Sequence, residues 1–418
     1  MNQCHHEALP RPAGLRPGDT DLNHPLRIWL NRTYAENAFF IGLLRENRDD
    51  VVLEVHASHV DADSPVLRAA DVSSLEPDNL SPAAYVEFAL DYCTRQGIDL
   101  FLPRLHQHAV AARREDFAAV GTTVLSPPSD AIELFDDKAT AYGRLAAAGL
   151  PVPPWWRVHD ADELMAAVEQ IEADGGKPCL KPVRGAGGEG FRVLSRNPFT
   201  LDRLAGSPSW YVPLELVVKA LEEAPEPRPV DWLVMPHLAG PEVSVDCLAD
   251  PDGRLRGAVG RSKEGRRRGF TLDPAYLEPT ERLVETFGLA YLTNVQFRHH
   301  HGVPMLLDIN TRPSGGLHQL SRCGVNFPWA AMQLALGQEP ADIAVGPGSL
   351  GDDYTLISTP YPALARQLTI PAPRQPHLEE TAPDQEAVQG TAATGTATPG
   401  TAATGTVTQV TGIIAEAV

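Results

Sequence analysis

Apolar and polar positions alternate between two periods along the first third of this chain. Arg27-Ile28-Trp29-Leu30 and Val51-Val52-Leu53-Glu54-Val55 have the period of strands, with an amphipathic helix between them through Ile41-Gly42-Leu43-Leu44. Pro82 opens a helix through Tyr85, Phe88 and Leu90, and Ile98 to Leu102 reads as a further strand. Strands alternating with helices predict a parallel sheet, here in an α/β domain over 25–129. A leader at 1–24, rich in Pro and Gly, is expected to be disordered. Ser129 or Asp130 is expected to cap a short helix before Asp137. The next helix ends at Leu145 to Gly149, with the glycine left-handed and Pro151 forbidding continuation.

Beyond Gly175 the pattern turns β-rich. Lys177-Pro178-Cys179-Leu180-Lys181-Pro182 and Phe191-Arg192-Val193-Leu194 read as strands around a glycine loop. Gly185, Gly187 and Gly190 satisfy G-x-G-x-x-G, but a strand follows where the dinucleotide fingerprint needs a helix. No Lys-Ser or Lys-Thr closes the loop, so it is not a Walker A motif either. What remains is a hairpin lid over a triphosphate, in which Gly185, Gly187, Gly188 and Gly190 let backbone N–H groups approach and Lys181 adds charge. A plain glycine-rich hairpin fits the loop equally well when it is taken alone.

Further on, Asn294 to Arg298 reads as a strand, His299 to Gly302 as a turn, and Leu306 to Asn310 as the returning strand. Asp308 and Asn310 then share a face, and Gln296 can join them as an oxygen ligand for a hard cation such as Mg²⁺. Arg312 follows at the strand end, where its planar fork suits phosphate. Neighbouring residues on a strand alternate sides, so His299, His300 and His301 read as a polar turn and not a metal site.

In order, Asp137-Lys138, the Lys181 glycine loop, Trp232 to Asp246, and the set Gln296, Asp308, Asn310 and Arg312 resemble the blocks of ATP-grasp enzymes of the carboxylate–amine ligase type. The resemblance covers about Asp130 to Gln338. It implies an N-terminal Rossmann-like pre-ATP-grasp domain, then a two-lobed α+β ATP-grasp domain over 130–345 with a hinge near 235–241, and an extension over 346–418. It implies ATP, with Mg²⁺ or alternatively Mn²⁺, as cofactors. Lys138 and Lys181 would neutralise phosphates, Met235, His237 and Leu238 would line the adenine, and Glu242 would accept the ribose hydroxyls. Gln296, Asp308 and Asn310 resemble the metal ligands of carbamoyl-phosphate synthetase, and Arg312 would stabilise the phosphoryl group in flight. Gly315 and Gly316 would offer N–H groups to the substrate. Two departures stand out: Met235 where many relatives have Glu, and Asp308 for the commoner Glu.

Substrate residues are less legible. Arg261 and Lys263, near Arg266-Arg267-Arg268, read either as a solvated loop or as a catalytic clamp for a carboxylate or phosphate. His318, Arg322 and Asn326 follow the glycine pair and are candidates for the same pocket. Asn31-Arg32, Ser58 and His59 lie at strand ends of the first domain, where α/β sheets bind ligands.

The charge of −19, from 54 acidic against 35 basic residues, argues against nucleic acid or a membrane surface as partner. No apolar run approaches spanning length. Five scattered cysteines show neither C-x-x-C nor a disulfide framework, which points to a cytoplasmic setting. The expected partners are a small-molecule carboxylate and an amine, with a homodimer open. Gly390 to Thr396 recurs at Gly400 to Thr406, and the tract after about Pro373 is expected to be disordered. The leading function is an ADP-forming ligase that joins the acid to the amine through an acyl phosphate. The alternatives are ATP-dependent carboxylation, carbamoyl-phosphate-type or other phosphoryl transfer on the same fold, and a nucleotide-binding regulator without turnover.

Overall fold

The structure is a computed structural model describing residues 24–185, 187–201, 205, 209–225, 230–340, 343, 356–357 and 370. The leader and the repeat tail lie outside the described residues.

Five strands, β1 (Leu26–Asn31), β2 (Leu53–His59), β3 (Val72–Leu75), β4 (Leu100–Leu102) and β5 (Thr123–Val124), form a parallel sheet in the order β3-β2-β1-β4-β5. Alternation along β1 explains its two cores. Ile28 and Leu30 join Val55, Ala57 and Leu102 on one face, while Trp29 packs with Tyr85, Phe101 and Phe117 on the other. The first of these clusters also takes in Phe327, Trp329 and Met332 from the late helix Phe327–Ala335, so chain segments about 300 residues apart share one core.

Two details differ from the sequence reading. The second strand begins at Leu53 and runs on to His59, because Ala57 and its neighbours still pair with β1. The helix Ser129–Asp136 has Pro128 at its N-cap and no side-chain cap; Asp130 Oδ1 instead accepts from the adjacent Ala131 N–H. Asp137 caps the following helix, Lys138–Ala147, by accepting from the Thr140 N–H, and Gly149 beyond its end is left-handed at φ 69°.

A second sheet holds β6 (Trp156–Val158), β7 (Pro178–Pro182), β8 (Arg192–Ser195), β9 (Tyr211–Pro213) and β10 (Trp232–Pro236), in the order β6-β10-β7-β8-β9. The helices Ala161–Ala173 and Leu214–Glu222 pack on it through Leu164, Val168 and Leu221. The chain then passes through His237 and Leu238 into a third sheet. Its strands are β11 (Ala239–Ala249), β12 (Leu255–Glu264), β13 (Arg267–Thr271), β14 (Tyr291–His300), β15 (Val303–Asn310) and β16 (Leu356–Ile357), ordered β15-β14-β11-β12-β13-β16.

The third sheet has two unlike faces. Val243, Val245, Cys247, Val295, Phe297 and Ile309 point into a core shared with the helices Lys138–Ala147 and Pro274–Phe287. On the other face Leu248, Leu292 and Val259 join the first core, while Ser244, Asp246, Asn294 and Gln296 are polar, and the site is built on these.

Candidate active site

Register brings the polar residues into rows. Asp308 lies opposite Gln296, Gln296 opposite Ser244, and Ser244 opposite Arg261, one row across four strands. The next row runs Asn310, Asn294, Asp246. Gln296, Asp308 and Asn310, on either side of a turn in the chain, therefore share one face and one end of the β14–β15 pair. The turn itself is two residues, His301 and Gly302, both at positive φ (49° and 81°). His299 and His300 belong to β14 and not to the turn, which corrects the expected boundary. Tyr276 OH bonds His299 Nε2 at 3.1 Å, and among the described residues no group of three or more His, Cys, Asp or Glu is placed to hold a metal.

A bulge interrupts this hairpin. Phe297 pairs with Leu306 but Gln296 with Asp308, so Leu307 is the extra residue. The turn's register, continued without the bulge, would have set Leu307 opposite Gln296 and sent Asp308 to the other face. The Leu307 carbonyl accepts from Tyr142 OH at 2.7 Å and from Lys181 Nζ at 3.2 Å.

Lys181 stands on β7, half-buried, with Nζ also 3.3 Å from Tyr142 OH and 5.3 Å from that ring's centre. Lys138 opens the helix after Asp137 and donates to the Gly185 carbonyl at 2.5 Å. Burial holds both ammonium groups below the ordinary lysine value, while Asp308 pulls each the other way and each feels too little of it to compensate. Neither lysine has an ion-pair partner among the described residues. β7 and β8 pair antiparallel, and the loop between them carries Gly185, Gly187, Gly188 and Gly190 at φ 133°, 68°, 76° and 70°. A Cβ at Gly190 would also meet Pro182 Cγ at 2.5 Å, so no other residue fits there.

At the crossing between sheets, Met235 is buried in the core beneath the third sheet. The His237 N–H is already bonded to the Lys177 carbonyl at 2.7 Å, and Leu238 is buried. Glu242, half-buried, faces Lys263 across β11–β12 and lies 3.7 Å from Arg298. Lys263 is exposed.

Arg261 is the surprise of the polar face. It is buried on β12, not on a solvated loop, with Nε 2.6 Å from Asp246 and Nη2 2.8 Å from Ser314 Oγ. Asp246 is fully buried and also accepts from Ser314 Oγ (2.7 Å) and Asn294 Nδ2 (3.0 Å). This network ties the loop after β15 to the sheet. Gly316 lies against the guanidinium: a Cβ there would come within 2.7 Å of Arg261 Cζ, whereas one on Gly315 would meet nothing closer than 3.9 Å. Arg312 leaves β15 with Nη1 3.3 Å from the Pro313 carbonyl and its Cζ 5.3 Å from the centre of the Tyr34 ring. His318 bonds the Gly315 carbonyl and stacks on Phe39 at 4.6 Å; Arg322 is exposed.

Several candidates turn out to hold the fold. Ser58 is buried between Trp29 Nε1 (2.7 Å) and Glu76 (2.6 Å), and Arg32 pairs with Glu76 at 3.0 Å. His59 accepts from the Asp61 N–H. Asn326 caps the last helix and donates to the Leu43 carbonyl at 2.7 Å. Asn31, also buried, bonds Tyr85 OH and the Arg104 N–H. Sequence reading missed Arg104, Tyr34, Gln107 and the Asp246–Arg261 pair. For Arg104 the signal existed, since it follows the carboxyl end of a parallel strand as Asn31 does.

Comparison with known proteins bears on the fold. Residues 228–349 match the family model described as ATP-grasp in the biosynthetic pathway with Ter operon. The chain is 29% identical over 243 residues, 54% of its length, to the carbamoyl phosphate synthase large chain of Thermomicrobium roseum, and spans 21% of that relative. The N5-carboxyaminoimidazole synthetase of Staphylococcus aureus shares its fold at a TM-score of 0.55 and 14% identity, over 76% of this chain and 78% of that one. The biotin carboxylase domain of Hydrogenobacter thermophilus 2-oxoglutarate carboxylase, solved as a dimer with MgADP, ADP and bicarbonate, gives 0.56 at 18% identity, over 75% and 70%. The chain has the ATP-grasp fold: a parallel α/β domain followed by a two-lobed ATP-grasp domain.

Proposed function

We propose that the chain is an ATP- and Mg²⁺-dependent, ADP-forming ligase that joins a carboxylate to an amine. The observation that carries this reading is the pair Lys138 and Lys181, two lysines depressed by burial that converge with the glycine loop and Asp308 and have no ion-pair partner among the described residues. Polyphosphate supplies the missing charge. A substrate carboxylate oxygen attacks the γ-phosphorus, ADP leaves, the amine attacks the acyl carbon, and phosphate departs with the carboxylate oxygen while the amine loses a proton. Positioning and charge neutralisation by Lys138, Lys181 and Arg312 would supply most of the rate.

One carboxylate and two amides, Asp308, Gln296 and Asn310, fit a hard cation that leans on nucleotide phosphates. Bound there, Mg²⁺ would neutralise the phosphate oxygens. Glu242 and the main chain at His237–Leu238 are assigned to the nucleoside, Gly315 and Gly316 to the substrate. Arg261, as an anchor of the 313–316 loop, would act on substrate through that loop, with Lys263 and Arg322 at its exposed edge. The domain limits 25–129 and 130–345, with the hinge at 235–241, belong to the same proposal.

Bicarbonate is a second acid that such a site can activate; it is present with MgADP and ADP in the Hydrogenobacter structure. The test is ADP release from MgATP against a panel of carboxylates and bicarbonate, each with and without amines. ADP that depends on one acid, with ¹⁸O passing from that acid into phosphate, supports the ligase. Nucleotide binding without stimulated ADP release across the panel would favour a regulator.

A further inference from the structure

The loops after β1 and β4 close over the loop after β15, and an arginine sits at their junction with no acidic partner among the described residues, only the Tyr34 hydroxyl. Tyr34 is stacked by two guanidinium groups, Arg104 with Cζ 5.0 Å from the ring centre and Arg312 with Cζ at 5.3 Å. Nε and Nη1 of Arg104 are buried and make no hydrogen bond among the described residues. Its main chain is fixed, since its N–H donates to Asn31 Oδ1 at 2.6 Å and Asn31 is fully buried. Gln107, three residues on, clamps Thr311 by two hydrogen bonds of 2.7 and 3.2 Å, which sets the β15 loop against the same corner. Arg104, Gln107, Thr33, Asn37 and Thr311 line one small cavity there.

A tyrosine face stabilises one cation, but two cations on one ring repel. Burial and the neighbouring Arg312 push the Arg104 guanidinium down to about 9. Buried guanidinium N–H groups are costly unless an acceptor meets them, and native structures seldom leave them unmet without a functional reason. An oxyanion resolves all of these at once, because a guanidinium fork matches carboxylate and phosphate.

We propose that Arg104 determines substrate specificity by gripping an oxyanion group of the substrate other than the carboxylate being activated. The activated carboxylate loses its charge when it is phosphorylated, so a permanent buried cation suits a group that stays charged through the reaction. The acid is therefore a small molecule with a second carboxylate or a phosphate. This rests on the carboxylate-activating reading of the site.

The experiment uses the full chain and measures Tm and calorimetric binding of acetate, succinate, citrate and inorganic phosphate at constant ionic strength. Each is measured with and without MgADP, for wild type, Arg104→Met and Arg104→Lys. The multivalent anions should bind wild type more tightly than acetate does. Arg104→Met should weaken them by about tenfold or more, and Arg104→Lys by less. MgADP affinity should stay within about twofold of wild type. Without anion, Arg104→Met should be no less stable than wild type, because it removes a buried charge that has no acidic partner among the described residues. An arginine with a merely structural role would instead lower Tm. Succinate against phosphate separates the two oxyanion sources. Equal anion binding by wild type and Arg104→Met, or no Arg104-dependent binding of any of the four, overturns the proposal. Failure of both proteins to bind MgADP would overturn the nucleotide reading and leave the anion result standing.

Discussion

Gly316→Ala isolates the contact between the 313–316 loop and the polar face of the third sheet. Neither Gly316, at φ −88°, nor Gly315 has the positive φ that alanine resists, so backbone strain is absent and sterics decide. An added methyl on Gly316 meets Arg261 Cζ at 2.7 Å and Nη2 at 2.9 Å, well inside van der Waals contact. The guanidinium cannot swing aside freely, because Nε holds the buried Asp246 and Nη2 holds Ser314. Overpacking of this kind costs about 1–3 kcal/mol. Gly315→Ala, with no atom nearer than 3.9 Å, is the matched control and should be neutral or gain up to about 1 kcal/mol from the stiffer unfolded chain. Arg261→Ala leaves Asp246 without its counter-ion and should cost about 3–5 kcal/mol alone. Added to Arg261→Ala, Gly316→Ala should cost almost nothing, a coupling of about 1–3 kcal/mol between the two positions. Urea unfolding of the nucleotide-free chain measures all four proteins. If Gly316→Ala is as stable as Gly315→Ala, or keeps its full cost beside Arg261→Ala, the buried network is not what fixes this loop.

Other outcomes test the chemistry. Asp308→Asn and Arg312→Ala should each lower acid-dependent ADP release by about a hundredfold or more while leaving the unfolding midpoint near wild type; wild-type kcat in either would remove that residue from the phosphoryl site. Lys181 has a folded pKa below its ordinary 10.5, so the unfolded chain binds the proton more tightly. Its contribution to apo stability therefore rises with pH from the depressed value up to 10.5, and Lys181→Met should flatten that rise; an unchanged slope would refute it. Truncation after Pro373 should leave ADP affinity unchanged by calorimetry, and lost affinity would make the tail part of the nucleotide domain.

The parallel sheet was legible because its strands are short apolar runs separated by clear helix signals, Pro82 above all. The shared face of Asp308 and Asn310 was legible because a period of two needs only local sequence to put them together. What escaped depended on register between distant strands. Nothing local says that Arg261 faces Ser244, or that Asp246 lies within reach of it, until β11 and β12 are paired. The same holds for Arg104 and Tyr34, which come from two loops and meet only when β1 and β4 pair. The cap before Asp137 was misread for a simpler reason: Ser129 and Asp130 have the chemistry of caps, but Pro128 occupies the position.

The extra residue in β15 gives one position of the chain an unusual genetic behaviour. What Leu307 supplies to Lys181 and Tyr142 is a main-chain oxygen, and every substitution leaves that oxygen in place. Side-chain scanning at this codon therefore reports only how well the leucine packs. Removing the codon closes the ladder with Asp308 still opposite Gln296, and takes away the carbonyl that Lys181 and Tyr142 share. At position 307 a deletion and a substitution ask different questions, and the one that reaches Lys181 is the deletion.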